Sequence, residues 1–232
     1  MKKRFLPSLI ASLILVGCSA DISQSTLETT VKHSGGQSMG DATSLYWLTE
    51  RIAVPQSAAD YVVAGDYGWY QSNYRWEDGT VRELIREGEQ LKGNQGLVPY
   101  KIHIRFNQQG EAVYQQYRLG TKVLPLKSEM LAQLKSEAVN VAEKTKQQEK
   151  EGLELIQGYW NGKEFETCSG QEYQSLVFNQ SLPSFVVDRL AGIDSFLAFV
   201  GSEKGDGLVI EDLLMLKDDS QSCIQRPSLL EE

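Results

Sequence analysis

Three cysteines, two histidines and a scatter of carboxylates are the residues in this 232-residue chain that could do chemistry. Catalysis by a Ser-His-Asp arrangement could use only His103, because His33 lies in a polar stretch that reads as a tether. His103 alternates with Lys101 and Arg105 on the wet phase of a strand pattern, which makes it a surface residue first and a pocket residue second. The paired carboxylates Glu211-Asp212 would point to opposite faces of a strand, and Asp218-Asp219 falls in a loop, so neither pair can share a substrate easily. Glu203 and Asp206 flank a hairpin loop without the regular oxygen-ligand spacing of a calcium loop. His-Glu-x-x-His, a phosphate loop and Gly-x-Gly-x-x-Gly are all missing. The expectation is a non-enzymatic chain with no catalytic residue, no metal site and no cofactor.

Thiol chemistry is more telling. Met1-Lys2-Lys3-Arg4 precedes an apolar run from Phe5 to Val16, the pattern of a secretory signal peptide. About twelve apolar residues are too few to span a bilayer, which takes about 20. Leu15-Val16-Gly17-Cys18 resembles the bacterial lipobox, which implies that the Cys18 thiol is diacylated before cleavage. Two or more acyl chains make a stable anchor. Ser19 rather than Asp follows the cysteine, so by analogy with lipoprotein sorting the expected location is the periplasmic face of the outer membrane. Cys168 and Cys223 are then left as an even pair in an oxidising compartment. Their 55-residue separation and the lack of nearby histidine favour a structural disulfide over a redox or metal pair.

Cleavage after Gly17 removes Lys2, Lys3 and Arg4 and takes the net charge from −8 to −11, which disfavours nucleic acid and anionic headgroups as partners. Residues 18–44, rich in Ser, Thr, Gly, Asp and Gln, read as a flexible tether that includes His33 and Ser34-Gly35-Gly36-Gln37-Ser38. Such a coil would have an r.m.s. span of roughly 28 Å.

Residues 45–125 read as an N-terminal antiparallel β domain, an open sheet or a barrel. Its strand candidates are Leu45 to Val54, Asp60 to Ala64, Tyr67 to Trp76, Thr80 to Gln90 and the alternating unit Tyr100 to Arg118. Tyr67, Trp69, Tyr70, Tyr74 and Trp76 invite a stacking platform, but Trp69 and Trp76 differ by an odd interval and should face opposite sides, which favours packing. Residues 126–157 form the one long helix candidate, with Met130, Leu131, Leu134, Ala138, Val141 and Ala142 recurring at three and four. Its second half, Glu143 to Glu151, is polar on every face and reads as a solvated spacer at a domain boundary.

In residues 158–232 five short strands are expected: Lys163 to Cys168, Gln171 to Asn179, Ser184 to Asp188, Asp194 to Val200 and Leu208 to Leu216. They suit a small OB-like barrel stapled by Cys168 and Cys223. The fold class is therefore mainly β (α+β).

The lipobox, the length, the β-rich body and the segment Ser195-Phe196-Leu197-Ala198-Phe199-Val200-Gly201 resemble the YjaH-type uncharacterised lipoproteins of gammaproteobacteria. That resemblance implies no activity or catalytic residue. The layout is also similar to outer-membrane lipoproteins of the NlpE kind, which pair a lipocalin-like domain with an OB-like one and report on envelope stress. This chain lacks a Cys-x-x-Cys in the first domain, so sensing by that route is not implied. The functional expectation is a monomeric or weakly associating envelope lipoprotein, held to the membrane by its N-terminal lipid, that binds an envelope protein partner. A small-ligand binder using the first sheet, or a cell-wall hydrolase built on His103, are the alternatives.

Overall fold

The computed structural model describes residues 30–230. The expected signal peptide and Cys18 lie outside the described residues. The chain begins with eight antiparallel strands in sequential order: β1 (Thr30–Met39), β2 (Ala42–Arg51), β3 (Val54–Val63), β4 (Gly68–Glu77), β5 (Thr80–Leu91), β6 (Leu97–Phe106), β7 (Ala112–Leu119) and β8 (Lys122–Leu124). This first sheet is open, with β1 and β8 at its two edges. Helix α1 (Ser128–Lys150) follows, then β9 (Glu154–Trp160), β10 (Phe165–Thr167), β11 (Glu172–Tyr173), β12 (Ser175–Phe178), helix α2 (Ser184–Gly192), β13 (Ser195–Lys204) and β14 (Gly207–Asp218). These later strands make a nearly closed, barrel-like second sheet in the order β11-β10-β9-β13-β14-β12. The mainly β fold class holds, with a second helix added.

Strand alternation sorts the first sheet into two apolar faces. Tyr46, Leu48, Tyr74, Leu84, Ile102, Ile104 and Phe106 point inward and meet Leu134, Ala138, Val141 and Ala142 of α1. From the same β2, Leu45 and Trp47 point outward and pack with Phe196, Ala198, Val200 and Leu214 of the second sheet. The layers run α1, first sheet, second sheet, and a third cluster on the far face of the second sheet includes Phe165, Phe199 and, in α2, Leu190. A strand apolar on both phases, such as β2, marks a sheet sandwiched between two layers.

Residues 30–44, expected in the tether, are instead β1 and the start of β2. The pairing runs Thr30 opposite Arg51 through Met39 opposite Ala42. The glycines there are required by close approach. A Cβ on Gly35 would sit 2.2 Å from Gln148 Oε1, and one on Gly36 would sit 2.5 Å from Leu214 Cδ1. Gln148 Nε2 donates to Gly36 O at 2.7 Å, and Gly36 N–H donates to Gln148 Oε1 at 3.0 Å, so a side-chain amide serves edge strand β1 as a partner. The expected solvated spacer at 143–151 is helical through Lys150 and packed, with Thr145 and Gln148 both buried. Chain reversal between β2 and β3 falls at Ile52 and Ala53, both at positive φ, inside the strand expected over Leu45 to Val54. The strand expected at Ser184 to Asp188 is α2.

After β14 the chain crosses both sheets as an extended tail. Cys223 is disulfide-bonded to Cys168, with 6.1 Å between their Cα atoms. Gln157 brackets Ile224, accepting from its N–H at 2.9 Å and donating to its carbonyl at 3.0 Å. Asn73 of β4 does the same further on, donating to Pro227 O at 2.9 Å and accepting from Leu229 N–H at 2.7 Å.

Candidate functional site

The most concentrated ionisable chemistry lies between α1 and the inner face of the first sheet. Register places Tyr46, Asp60, Ser72 and Arg86 in one row across β2, β3, β4 and β5. Residues directly opposite on adjacent strands have Cβ atoms about 5 Å apart, so the row brings their side chains together. Arg86 Nε donates to Ser72 Oγ at 2.9 Å, and its NH2 group reaches Tyr74 Oη at 2.9 Å and Glu137 Oε2 of α1 at 2.8 Å. Tyr74 in turn donates to Asp60 Oδ2 at 3.0 Å. The guanidinium stacks over the Tyr70 ring at 3.9 Å.

Burial is the leading cause of every shift in this cluster. It pushes the Asp60 carboxyl up against the opposing pull of Arg86 and its hydrogen bonds, and Asp60 Oδ1 has no partner among the described residues. The Tyr74 and Tyr70 hydroxyls are raised well above the ordinary range, and Tyr100 is pushed up to about 12. Burial opposes the charge on Arg86, but Tyr74 and Asp60 more than restore it. One cation therefore serves two carboxylates, one from the sheet and one from the helix. Its chemistry is to hold α1 against the sheet, with α1 itself filling the space a ligand would need.

A second cluster forms on the outer face. Glu83 is almost wholly buried beneath its partners: His103 Nε2 at 2.8 Å, Arg105 Nε at 2.8 Å and Arg75 NH2 at 2.5 Å. Burial pushes the Glu83 carboxyl up, but the hydrogen bonds from His103 and Arg105 and the charge of Arg75 outweigh it and hold it below the ordinary value. His103 meets the Tyr114 ring edge-on at 5.0 Å. No Ser, Thr or Cys side chain hydrogen-bonds to His103 among the described residues. His33 in β1 lies 3.5 Å from Glu50, which also pairs with Lys146 of α1 at 2.6 Å.

The remaining sequence candidates are dispersed. Trp69 points outward, beside Tyr61 and hydrogen-bonded to Glu89, while Trp76 is in the inner core. Glu211 accepts from Asn179 and Asp212 accepts from Ser38 N–H, so the adjacent pair diverges. Glu203 accepts from the Tyr173 hydroxyl. Among the described residues no three His, Cys, Asp or Glu side chains are grouped to hold a metal. Asp60, Arg86 and Glu137 were not legible as a unit in the sequence. Arg86 shares its strand phase with Leu84, Gly88 and Gln90, a sequence that reads equally well as surface.

Fold and site together define a two-sheet, mainly β protein with a helix-capped first sheet and paired internal charges. Residues 34–228 match the family described as Protein of unknown function (DUF1481), and the chain belongs to that family. The match begins inside β1 and ends in the tail, so it spans both sheets and leaves the Cys18 segment outside. No curated protein and no solved structure matches the chain.

Proposed function

We propose that this chain is an acylated lipoprotein of the bacterial envelope, on the periplasmic face of the outer membrane, that acts without catalysis by binding another envelope protein. Lipidation at Cys18 rests on Leu15-Val16-Gly17-Cys18. The observation that carries the binding role is the outer edge of β7. Strand β8 covers only Tyr117, Arg118 and Leu119, so residues 112–116 have no further strand beside them among the described residues. Val113 and Tyr114 on that edge are 66% and 42% exposed. An open ladder bearing exposed apolar side chains is a site where an extended segment of a partner adds as a strand. The ligand-pocket reading is not taken up, because α1 occupies the inner face of the first sheet. The hydrolase reading is not taken up either, because His103 is spent on Glu83.

The test is photocrosslinking from position 113 or 115 of the natively processed protein in envelope membranes, beside a Cys18→Ala form. A single crosslinked partner that disappears in the Cys18→Ala form is the expected result. Equal capture from both forms, or none from either, would overturn the reading. The mass of the N-terminal peptide reports acylation independently.

A further inference from the structure

The outer face of the first sheet carries a second row, and it differs in charge from the rest of the molecule. Register sets Lys32 opposite Thr49, Thr49 opposite Ser57, and Ser57 opposite Arg75 across β1 to β4. The tail lays Arg226 over this row. Its NH1 donates to Thr49 Oγ1 at 2.6 Å and its NH2 to Ser57 Oγ at 2.8 Å. These hydroxyls orient the guanidinium without neutralising it. No carboxylate pairs with Arg226 or Lys32 among the described residues, and the charge of Arg75 is shared with Glu83. The position of Arg226 is fixed from both sides, by the Cys168–Cys223 bond and Gln157 before it and by Asn73 after it.

Between the row and the tail lies a cleft of about 560 Å3, and none of the described residues lining it is Asp or Glu. In a chain of net charge −8 such a lining is unusual. The volume is within the range of small-ligand sites, about 300–1,000 Å3. Each hydroxyl that accepts from Arg226 keeps its own O–H hydrogen to donate. Guanidinium, ammonium and hydroxyl donors lining one cleft, with no acid among the described lining residues, are matched by an oxyanion with several acceptors and more than one negative charge.

We infer that this cleft binds a phosphate group, with Arg226 and Lys32 supplying the charge and Thr49 and Ser57 the hydroxyl donors. The phosphate can belong to a lipid headgroup or be free in solution. The headgroup source rests on the anchored reading above. Lys32 is fourteen positions from Cys18, and the twelve positions from Cys18 to Thr30, where β1 is described from, reach no more than about 43 Å. The same rim exposes Val31, Val54 and Ile52, the last of these 74% exposed at a hairpin tip.

The full chain, purified in nonionic detergent, is titrated calorimetrically with inorganic phosphate, alongside Arg226→Gln and Lys32→Gln. Saturable binding by the wild type, weakened about tenfold or more in Arg226→Gln, is expected. Lys32 is exposed and holds no part of the tail, so Lys32→Gln keeps the test valid should Arg226→Gln fail to fold, and it too should weaken binding. Absence of saturable phosphate binding by folded wild type, or equal affinity in wild type and both variants, overturns the inference. Competition by micelles containing phosphatidylglycerol identifies a headgroup source, and its absence identifies free phosphate. Intact mass shows whether Cys18 is acylated, so a failure of the envelope reading is separated from a failure of the cleft.

Discussion

Replacing Gly35 with Ala tests the contact that makes β1 a strand. The new Cβ would lie 2.2 Å from Gln148 Oε1, so the amide must swing away and give up both hydrogen bonds to Gly36. Leaving a buried backbone donor and a buried acceptor unpaired costs about 1–3 kcal/mol each, hence roughly 2–6 kcal/mol together. About 0.5–1 kcal/mol returns because Ala restricts the unfolded chain more than Gly does. Gln148→Ala removes the same two bonds and should cost a similar amount. In that background the next atom facing the Cβ is Thr145 Cα at 3.7 Å, an ordinary contact, so adding Gly35→Ala should be close to neutral. The double mutant is therefore expected to be no less stable than Gln148→Ala alone, with a coupling of about 2–4 kcal/mol. Urea unfolding of the four proteins measures it, and each single variant should also melt lower by about 2–4 °C per kcal/mol. Additivity within about 0.5 kcal/mol would refute the reasoning.

Other substitutions probe the remaining clusters. Arg86→Met leaves the buried Asp60 carboxyl without its cation and should cost about 3–5 kcal/mol, whereas Glu137→Gln, at the more open end of the network, should cost clearly less; the reverse order in urea unfolding would show that the helix contact dominates. The Glu83 carboxyl is depressed, so its contribution is complete above the ordinary value of 4.5 and is lost as pH falls through its lower folded value; Glu83→Gln should flatten the stability profile in that acid window, and an unchanged slope there counts against the His103–Arg105–Arg75 account. Reducing Cys168–Cys223 reopens a 55-residue separation and should lower stability by about 4 kcal/mol while speeding proteolysis in the tail. An unaltered cleavage rate would mean that the hydrogen bonds of Gln157, Asn73, Thr49 and Ser57 hold the tail without the disulfide.

Side-chain patterning made some of this architecture legible and backbone burial hid the rest. Ile102, Ile104 and Phe106 alternate with Lys101, His103 and Arg105, and the strand is where that pattern puts it, with His103 on the outer face. The first strand carries no such pattern. Gly35 and Gly36 are buried because helix and sheet close on them from either side, so what is sequestered is main chain, which leaves no apolar periodicity to read. Similarly, Gln148 sits in a run polar on every face, yet its amide is buried as a hydrogen-bonding partner. Ile52 and Ala53 take up positive φ without the usual Gly or Asn, so the β2–β3 turn left no mark. The Asp60, Arg86 and Glu137 network joins a strand, a second strand and a distant helix, and only the register of the sheet brings them into one place.

The tail's position also sets an order of events for a chain made from its N-terminus. Groups that hold it, among them Thr49, Ser57, Asn73, Gln157 and Cys168, are synthesised earlier and have to wait for residues 223–229. Until those residues arrive, Cys168 lacks its disulfide partner, and the two sheets are joined only by their direct packing. A chain interrupted before Cys223 is thus chemically marked as unfinished, because Cys168 stays without the partner that the complete chain gives it, and completion is recorded by a covalent bond.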